Sequence, residues 1–323
     1  MVPDVALVDR FRSDLDTLID PGTRFGVAVS GGPDSLALLL LAASARPGEF
    51  EAATVDHGLR PESAAEAKMV ADLCEEMDVP HAILAIEWDL PPASAIQEQA
   101  RAVRYGALAA WMHDREIGAL LTAHHLDDQA ETLVMRLNRG SGVRGLAGMR
   151  RKSKVPGYPD LALLRPLLSW RRAELERICS EAGVEPVSDP SNLDERFERV
   201  RIRQALAAAD WLDPEALARS AENLGWSDEA LDWATGQVWA GFVEVGDDEI
   251  VYRDPGAPRD ILRRIVAQAI AQLGNEGEPD DLRGRELDGL LSALEGAKTT
   301  TLRGVRCSGG PRWTFSRAAP RSR

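Results

Sequence analysis

The sequence predicts an α/β fold, with a parallel sheet covered by helices and then a smaller, mostly helical C-terminal domain. Three observations carry that reading. Over the first two-thirds of the 323 residues, short apolar runs alternate with amphipathic ones, the pattern of repeated strand–helix units. The first unit, "FGVAVSGGPDSLALLLLA" (25–42), holds a six-residue polar turn between an apolar strand and an apolar helix. Beyond Trp211 the composition shifts: no histidine follows, and Trp211, Trp226, Trp233, Trp239 and Trp313 account for five of the eight tryptophans. The domain boundary is therefore expected there, giving domains 1–210 and 211–323.

Taken in order, the expected strands are 25–29, 52–55, 82–86 and 119–122, and the helices between them 35–43, 63–77, 95–114 and 127–138. In the third helix Ile96, Ala100, Val103, Ala107 and Trp111 recur at three- and four-residue steps, so that face is buried. Residues 140–160 are rich in glycine and arginine with little periodicity and read as a functional or mobile loop rather than an element. Helices are expected near 170–182 and 199–209. The second domain should contain helices 214–239, 258–273 and 282–294, with short strands at 249–253 and 299–306. Its tryptophan density reads as buried aromatic anchoring.

Bulk properties narrow the class. Hydrophobic content of 44% with 28% charged residues is ordinary for a globular enzyme. The longest apolar run, 36–43, has eight residues, against the ~18 a membrane span needs. The N-terminus carries neither a basic start with an apolar core nor an arginine-rich transit pattern. Cys74, Cys179 and Cys307 stand far apart, so reduced thiols and a cytoplasmic location are expected. The net charge is −14, yet residues 136–172 hold ten Lys/Arg and one acid, Asp160. A basic band on an acidic body points to an anionic partner; the alternative is a solvated loop.

The polar turn has a chemical logic. Gly31 and Gly32 permit positive φ and let backbone approach a phosphate, and the following helix N-terminus favours an anion. Pro33 suits the first helical turn. Ser30 and Ser35 can donate hydroxyls to phosphate oxygens. Asp34 repels phosphate and so is expected to hold Mg²⁺ or the substrate's cation. The alternative is an ordinary turn capped by Asp34 or Ser35. No Gly-Lys-Ser/Thr follows, which excludes a Walker A loop, and GxGxxG is absent.

A second constellation is "TAHHLDDQAETLVMRLNRGSGVRGLAGM" (122–149). Asp128 and Glu131 share a helix face, at a repulsive cost of about 0.2–0.5 kcal/mol. Such a pair serves a cation, either Mg²⁺ or an ammonium group; the alternative is an acidic first turn. His124 and His125 point to opposite faces if extended, so contact with nucleotide or substrate is favoured over zinc ligation.

At these residues a resemblance enters. "SGGPDS" resembles the pyrophosphatase loop of the N-type ATP pyrophosphatases. The 122–149 stretch resembles the signature of the tRNA(Ile)-lysidine synthetases, roughly HHxDDxxET followed by RLxRGSGxxGLxGM. "VDHGLR" (55–60), "QARAVRY" (99–105), "RPLL" (165–168) and "DPSN" (189–192) agree in order. "RVRIR" (199–203) departs, with Val200 where asparagine is expected. The similarity covers about residues 24–205, and the C-terminal segment resembles the family's tRNA-contacting helical domain only loosely.

The resemblance implies a PP-loop ATPase (HUP-like) catalytic domain and a two-step ligase. ATP adenylates the C2 oxygen of the wobble cytidine in a CAU-anticodon tRNA-Ile, releasing pyrophosphate. The ε-amine of L-lysine then displaces AMP, and codon specificity changes from AUG to AUA. ATP contact is implied for Ser30, Gly31, Gly32, Pro33, Asp34, Ser35 and His57, with Asp34 on Mg²⁺. Asp34, Asp128, Glu131 and Arg104 are the expected catalytic residues: Asp128 and Glu131 for lysine or metal, Arg104 for a developing anion. Alternatively, Arg101 and Arg104 form a solvated face paired with Glu98. His125, Arg139, Arg144 and Arg201 are expected on the substrate side, the arginines toward tRNA. A homodimer is compatible with the resemblance. A tRNA thiolase would need paired cysteines, which the spacing does not offer, and a tRNA-binding module without catalysis leaves the intact turn unexplained.

Overall fold

A computed structural model describes residues 2–58, 62–86, 88, 96–187 (96–98 as backbone), 194–253, 256–274 and 284–318. The chain divides into two compact units, Met1–Gly225 and Trp226–Arg323.

In the first unit the elements run α1 (Val5–Asp16), β1 (Phe25–Ala28), α2 (Pro33–Ala45), β2 (Phe50–Asp56), α3 (Ser63–Glu76), β3 (His81–Ala85), α4 (Ile96–Asp114), β4 (Ala119–Leu121), α5 (Leu126–Asn138), α6 (Val143–Leu146), β5 (Lys152–Val155), β6 (Tyr158–Leu164), α7 (Arg172–Glu181) and α8 (Glu198–Ala208); α9 (Pro214–Phe242) follows. The sheet order is β3-β2-β1-β4-β6-β5, parallel except for β5, which pairs antiparallel with β6. From β1 the chain first builds outward through β2 and β3, then returns to the other side at β4. The crevice beyond the C-terminal ends of β1 and β4 is therefore the topological switch point, where open α/β sheets take their ligands.

Period-two alternation sends successive strand residues to two cores. Val27, Ala52 and Leu121 face one, with α1, α2, α3 and α7 supplying Phe11, Leu36, Val70 and Ile178. Ala53, Leu120 and Leu163 face the other, closed by Tyr105, Leu108 and Met112 of α4. Helix α2 is apolar all round, and Leu36 through Ala42 are buried without exception, as expected of a helix enclosed by neighbours.

Two features depart from the sequence reading. Helix α1 was not expected, and its Phe11 and Leu15 complete the first core. The stretch read as a loop contains α6 and β5, and a hairpin turn at Gly157 (φ +81°) leads into β6. Strand β5 was hidden because it is an edge, where Lys152 and Lys154 replace the apolar alternation and discourage pairing with other chains.

The second unit contains β7 (Val243–Val245), β8 (Glu249–Tyr252), α10 (Arg259–Leu273), α11 (Gly284–Glu295), β9 (Thr299–Leu302), β10 (Val305–Ser308) and β11 (Trp313–Arg317). The strands form an antiparallel sheet ordered β7-β8-β11-β10-β9. Ile265, Leu291, Trp313 and Phe315 lie in its core. Arg264 is held there by Asp228 (2.7 Å), Asp232 and Asp260 (3.0 Å). The tryptophan expectation needs correction: Trp313 is buried, but Trp211, Trp226 and Trp233 are exposed.

Candidate active site

The turn after β1 is organised by its own hydroxyls. Ser35 Oγ accepts the Ser30 N–H (3.1 Å), donates to the Gly32 carbonyl (3.0 Å) and lies 3.2 Å from Ser30 Oγ. Gly31 takes φ +83°, and a Cβ there would stand 3.1 Å from Val187 Cγ2. The Val187 N–H donates to the Gly31 carbonyl (2.9 Å), fastening the segment after α7 over the turn. Gly32 is the N-cap of α2 with no side chain to satisfy the first amides, and Pro33 opens the helix. The turn thus presents unpaired amides at the positive end of a buried helix. Cys179 supports it from behind, its thiol donating to the Pro33 carbonyl (3.2 Å).

One strand away, His125 caps α5. Its backbone N–H donates to Asp128 Oδ2 (3.1 Å), and its Nδ1 accepts the Asp128 N–H (3.4 Å), forming a capping box. That network assigns the remaining proton to Nε2, which faces Asp34 Oδ2 and Asp128 Oδ2, each at 3.5 Å. The imidazole is fully buried. Burial opposes its protonation, but the carboxylates of Asp34 and Asp128 outweigh burial and raise its pKa. Asp34 Oδ1 is itself buried with no hydrogen-bond partner. Arg172, at the start of α7, reaches to 3.4 Å from His125 Nε2, and its backbone N–H donates to Asp127 (2.8 Å).

The acidic pair is already partnered. Arg199 of α8 donates to Asp128 Oδ1 and Glu131 Oε2, both at 2.7 Å, and Arg203 donates to Glu131 Oε1 at 2.7 Å. Burial by itself raises the Glu131 pKa; hydrogen bonds from Arg203 and Arg199 reverse it and hold the carboxyl below its ordinary range. Sequence reasoning gave Arg199 no role and did not single out Arg203. Their spacing, four apart on one helix, was the signal available. Val200 between them is buried.

Other expected residues lie around this centre or apart from it. His57, just past β2, has a buried, unpartnered Nδ1. Burial, followed by the charge of Arg104, holds its pKa down. Arg104 lies on α4, its Cζ 5.4 Å from the Tyr105 ring, and the Glu98 side chain is outside the described residues. His124 donates or accepts at Thr122 (2.9 Å) and is kept neutral chiefly by burial. Arg139 and Arg144 are exposed, with Arg139 paired to Glu198. Arg201 is exposed and donates to the carbonyls of Glu195 (2.7 Å) and Arg196 (3.2 Å). The "DPSN" stretch and the end of "VDHGLR" lie outside the described residues.

A glycine turn at the switch point, feeding the N-terminus of a buried helix, defines a PP-loop domain, and residues 7–209 match the family of that description. The relatives are more specific. A curated protein of Novosphingobium aromaticivorans named tRNA(Ile)-lysidine synthase is 48% identical over 312 residues, covering 96% of this chain and 93% of its own. One of the same name from Zymomonas mobilis is 42% identical, covering 93% of this chain and 90% of its own. The chain belongs to the tRNA(Ile)-lysidine synthase family.

Among solved structures, the U34-tRNA thiolase NcsA from Methanococcus maripaludis, with its [4Fe-4S] cluster, aligns at a TM-score of 0.55 and 15% identity, over 70% of this chain and 80% of that one. The likeness is one of fold. Here Cys74, Cys179 and Cys307 are all buried, and burial pushes their thiols up, to about 12, about 11 and about 12 respectively. Buried, protonated thiols are poor nucleophiles and metal ligands.

Proposed function

We propose that this protein ligates L-lysine to C2 of the wobble cytidine of a CAU-anticodon tRNA-Ile, at the cost of ATP cleaved to AMP and pyrophosphate. The observation that carries the reading is the buried imidazole of His125, which lies against Asp34 of the nucleotide turn and Asp128 of the acidic pair. It ties an anion-gripping turn to a carboxylate cluster fit for an amine.

In this reading the amides of Gly31 to Ser35 and the hydroxyls of Ser30 and Ser35 receive the phosphates. The unpartnered Asp34 Oδ1 suits a hard cation. Mg²⁺, when bound, neutralises charge that develops as pyrophosphate leaves. Asp34 would hold it through that oxygen. Arg199 fixes the direction of the Asp128 and Glu131 carboxyls and, with Arg203, holds the Glu131 carboxyl below its ordinary range, and the acceptor sites left over bind the lysine ammonium. A neighbouring carboxylate takes the proton that the amine loses before attack. Arg139, Arg144 and Arg201 supply positive charge toward the tRNA backbone, and Arg104 faces the anion that develops on the base.

The test incubates the protein with Mg-ATP, lysine and a CAU-anticodon tRNA-Ile transcript and analyses the nucleosides by mass. The reading expects a lysine-substituted cytidine, with AMP and pyrophosphate in equal amounts. Pyrophosphate release without a new nucleoside would reject it.

A further inference from the structure

A buried guanidinium without a counter-ion is costly, and in a chain of net charge −14 carboxylates are plentiful. Arg165 is nonetheless buried, 6% exposed, immediately after β6. Its Nη1 donates to the Arg150 carbonyl (2.7 Å) and Ser153 Oγ (3.0 Å), whereas its Nε is buried and unpartnered. Two more arginines stand nearby on α4: the Cζ atoms of Arg101 and Arg104 lie 5.0 and 5.4 Å from the Tyr105 ring centroid. Among the described residues, no carboxylate pairs with Arg101, Arg104 or Arg165.

Tyr105 of α4 and Leu163 of β6 pack in one core, which brings the first turns of α4 to the end of β6 where Arg165 stands. Burial lowers the Arg165 pKa, with Tyr105 opposing and Arg101 reinforcing the shift. The pKa of His124 is lowered first by burial; Asp128 opposes this, and Arg165, Arg199 and Arg101 add to it. Arg165 directly follows β6 and His124 follows β4, its parallel neighbour, so both lie at the C-terminal edge of the sheet. There the Thr122 N–H after β4 meets the Leu164 carbonyl of β6 (3.0 Å). In the strand order β6 is two places from β1, about 10 Å from the strand that ends in the glycine turn. A triphosphate held at that turn has its own amides and hydroxyls and leaves this second cluster without a counter-charge.

We propose that Arg101 and Arg165, with Arg104 beside them, form a second phosphate-binding site, and that it takes a backbone phosphate of the RNA substrate. The proposal rests on the functional reading above. It adds Arg101 and Arg165 as positioning residues that anchor the strand next to the base being modified.

The experiment measures the affinity of the full-length protein for the tRNA transcript across about 50–200 mM salt, and for ATP separately, in wild type, Arg101→Ala and Arg165→Gln. The expected result is roughly tenfold weaker RNA binding in each variant. The salt dependence should flatten by about 0.7–1 in log–log slope, the value of one phosphate contact, with ATP affinity unchanged. Arg101 is exposed, so its variant carries the test even if Arg165→Gln melts early. Unaltered RNA affinity and slope overturn the proposal. A loss confined to ATP also overturns it, because the cluster is then a nucleotide subsite. Wild-type protein that binds no RNA rejects the functional reading itself, and the proposal falls with it.

Discussion

At the scale of single residues, the centre of the site is a chain of partnered polar and charged groups. Asp34 and Asp128 flank His125, and Arg199 links Asp128 to Glu131, which Arg203 then closes. Arg199→Met removes the guanidinium shared by the two acids and leaves Asp128 without its arginine. We expect a loss of about 2 kcal/mol, read as a fall in melting temperature of roughly 4–8 °C. An unchanged melting temperature would mean that the pairs contribute nothing. Glu131 gives a pH prediction. Its carboxyl is held below the ordinary range in the folded state. Its stabilisation is therefore complete above the unfolded-state pKa, near about 4.3, and is lost as pH falls through the lower folded value. Acid-unfolding curves of wild type and Glu131→Gln should converge as the pH drops below about 4; parallel curves would contradict the assignment. These partnerships were only half legible in the sequence. The acids stood out by spacing, but their guanidinium partners lie some seventy positions on, and only the fold brings α8 against α5.

At the scale of elements, strand–turn–helix units carried most of what could be read. The turn at 30–35 announced itself because glycines, hydroxyls and a carboxylate interrupt an apolar run. Gly31→Ala puts a side chain at φ +83° and 3.1 Å from Val187, at a conformational cost of about 1–2 kcal/mol. It should raise the KM for ATP about tenfold with RNA affinity unaltered, and equal KM values would show that the turn does not grip nucleotide. Strands β1 and β4 fell close to their predicted ranges because strands buried on both faces read as apolar runs, and β3, though an edge, kept the apolar residues Ala82, Ile83, Leu84 and Ala85. The β5–β6 hairpin did not, since an edge strand loses the apolar signal. The small C-terminal sheet was also underestimated: 299–306 is two strands around a turn at Arg303–Gly304, and β11 sits behind a Gly-Gly-Pro stretch that mimics a loop.

At the scale of the whole molecule, the charge is divided against itself. The body is acidic, whereas 136–172 is basic, and Arg139 and Arg144 are exposed within that band. Replacing both with alanine should weaken transcript binding by one to two orders of magnitude, leave ATP binding unchanged and lower the salt dependence. Equal effects on the two ligands would count against an RNA-facing band. The same contrast explains why composition misleads: an overall pI of about 4.9 conceals a local field of opposite sign.

The most direct test of the central claim, that the glycine turn and the acidic pair make one ligase centre joined at Asp34, is transfer of labelled lysine to the CAU transcript by wild type and by Asp34→Ala. We predict one lysine per tRNA with stoichiometric pyrophosphate for wild type. The variant should transfer at least about a hundredfold more slowly while binding the transcript normally. Lysine transfer that proceeds at the wild-type rate without the Asp34 carboxylate would contradict the account.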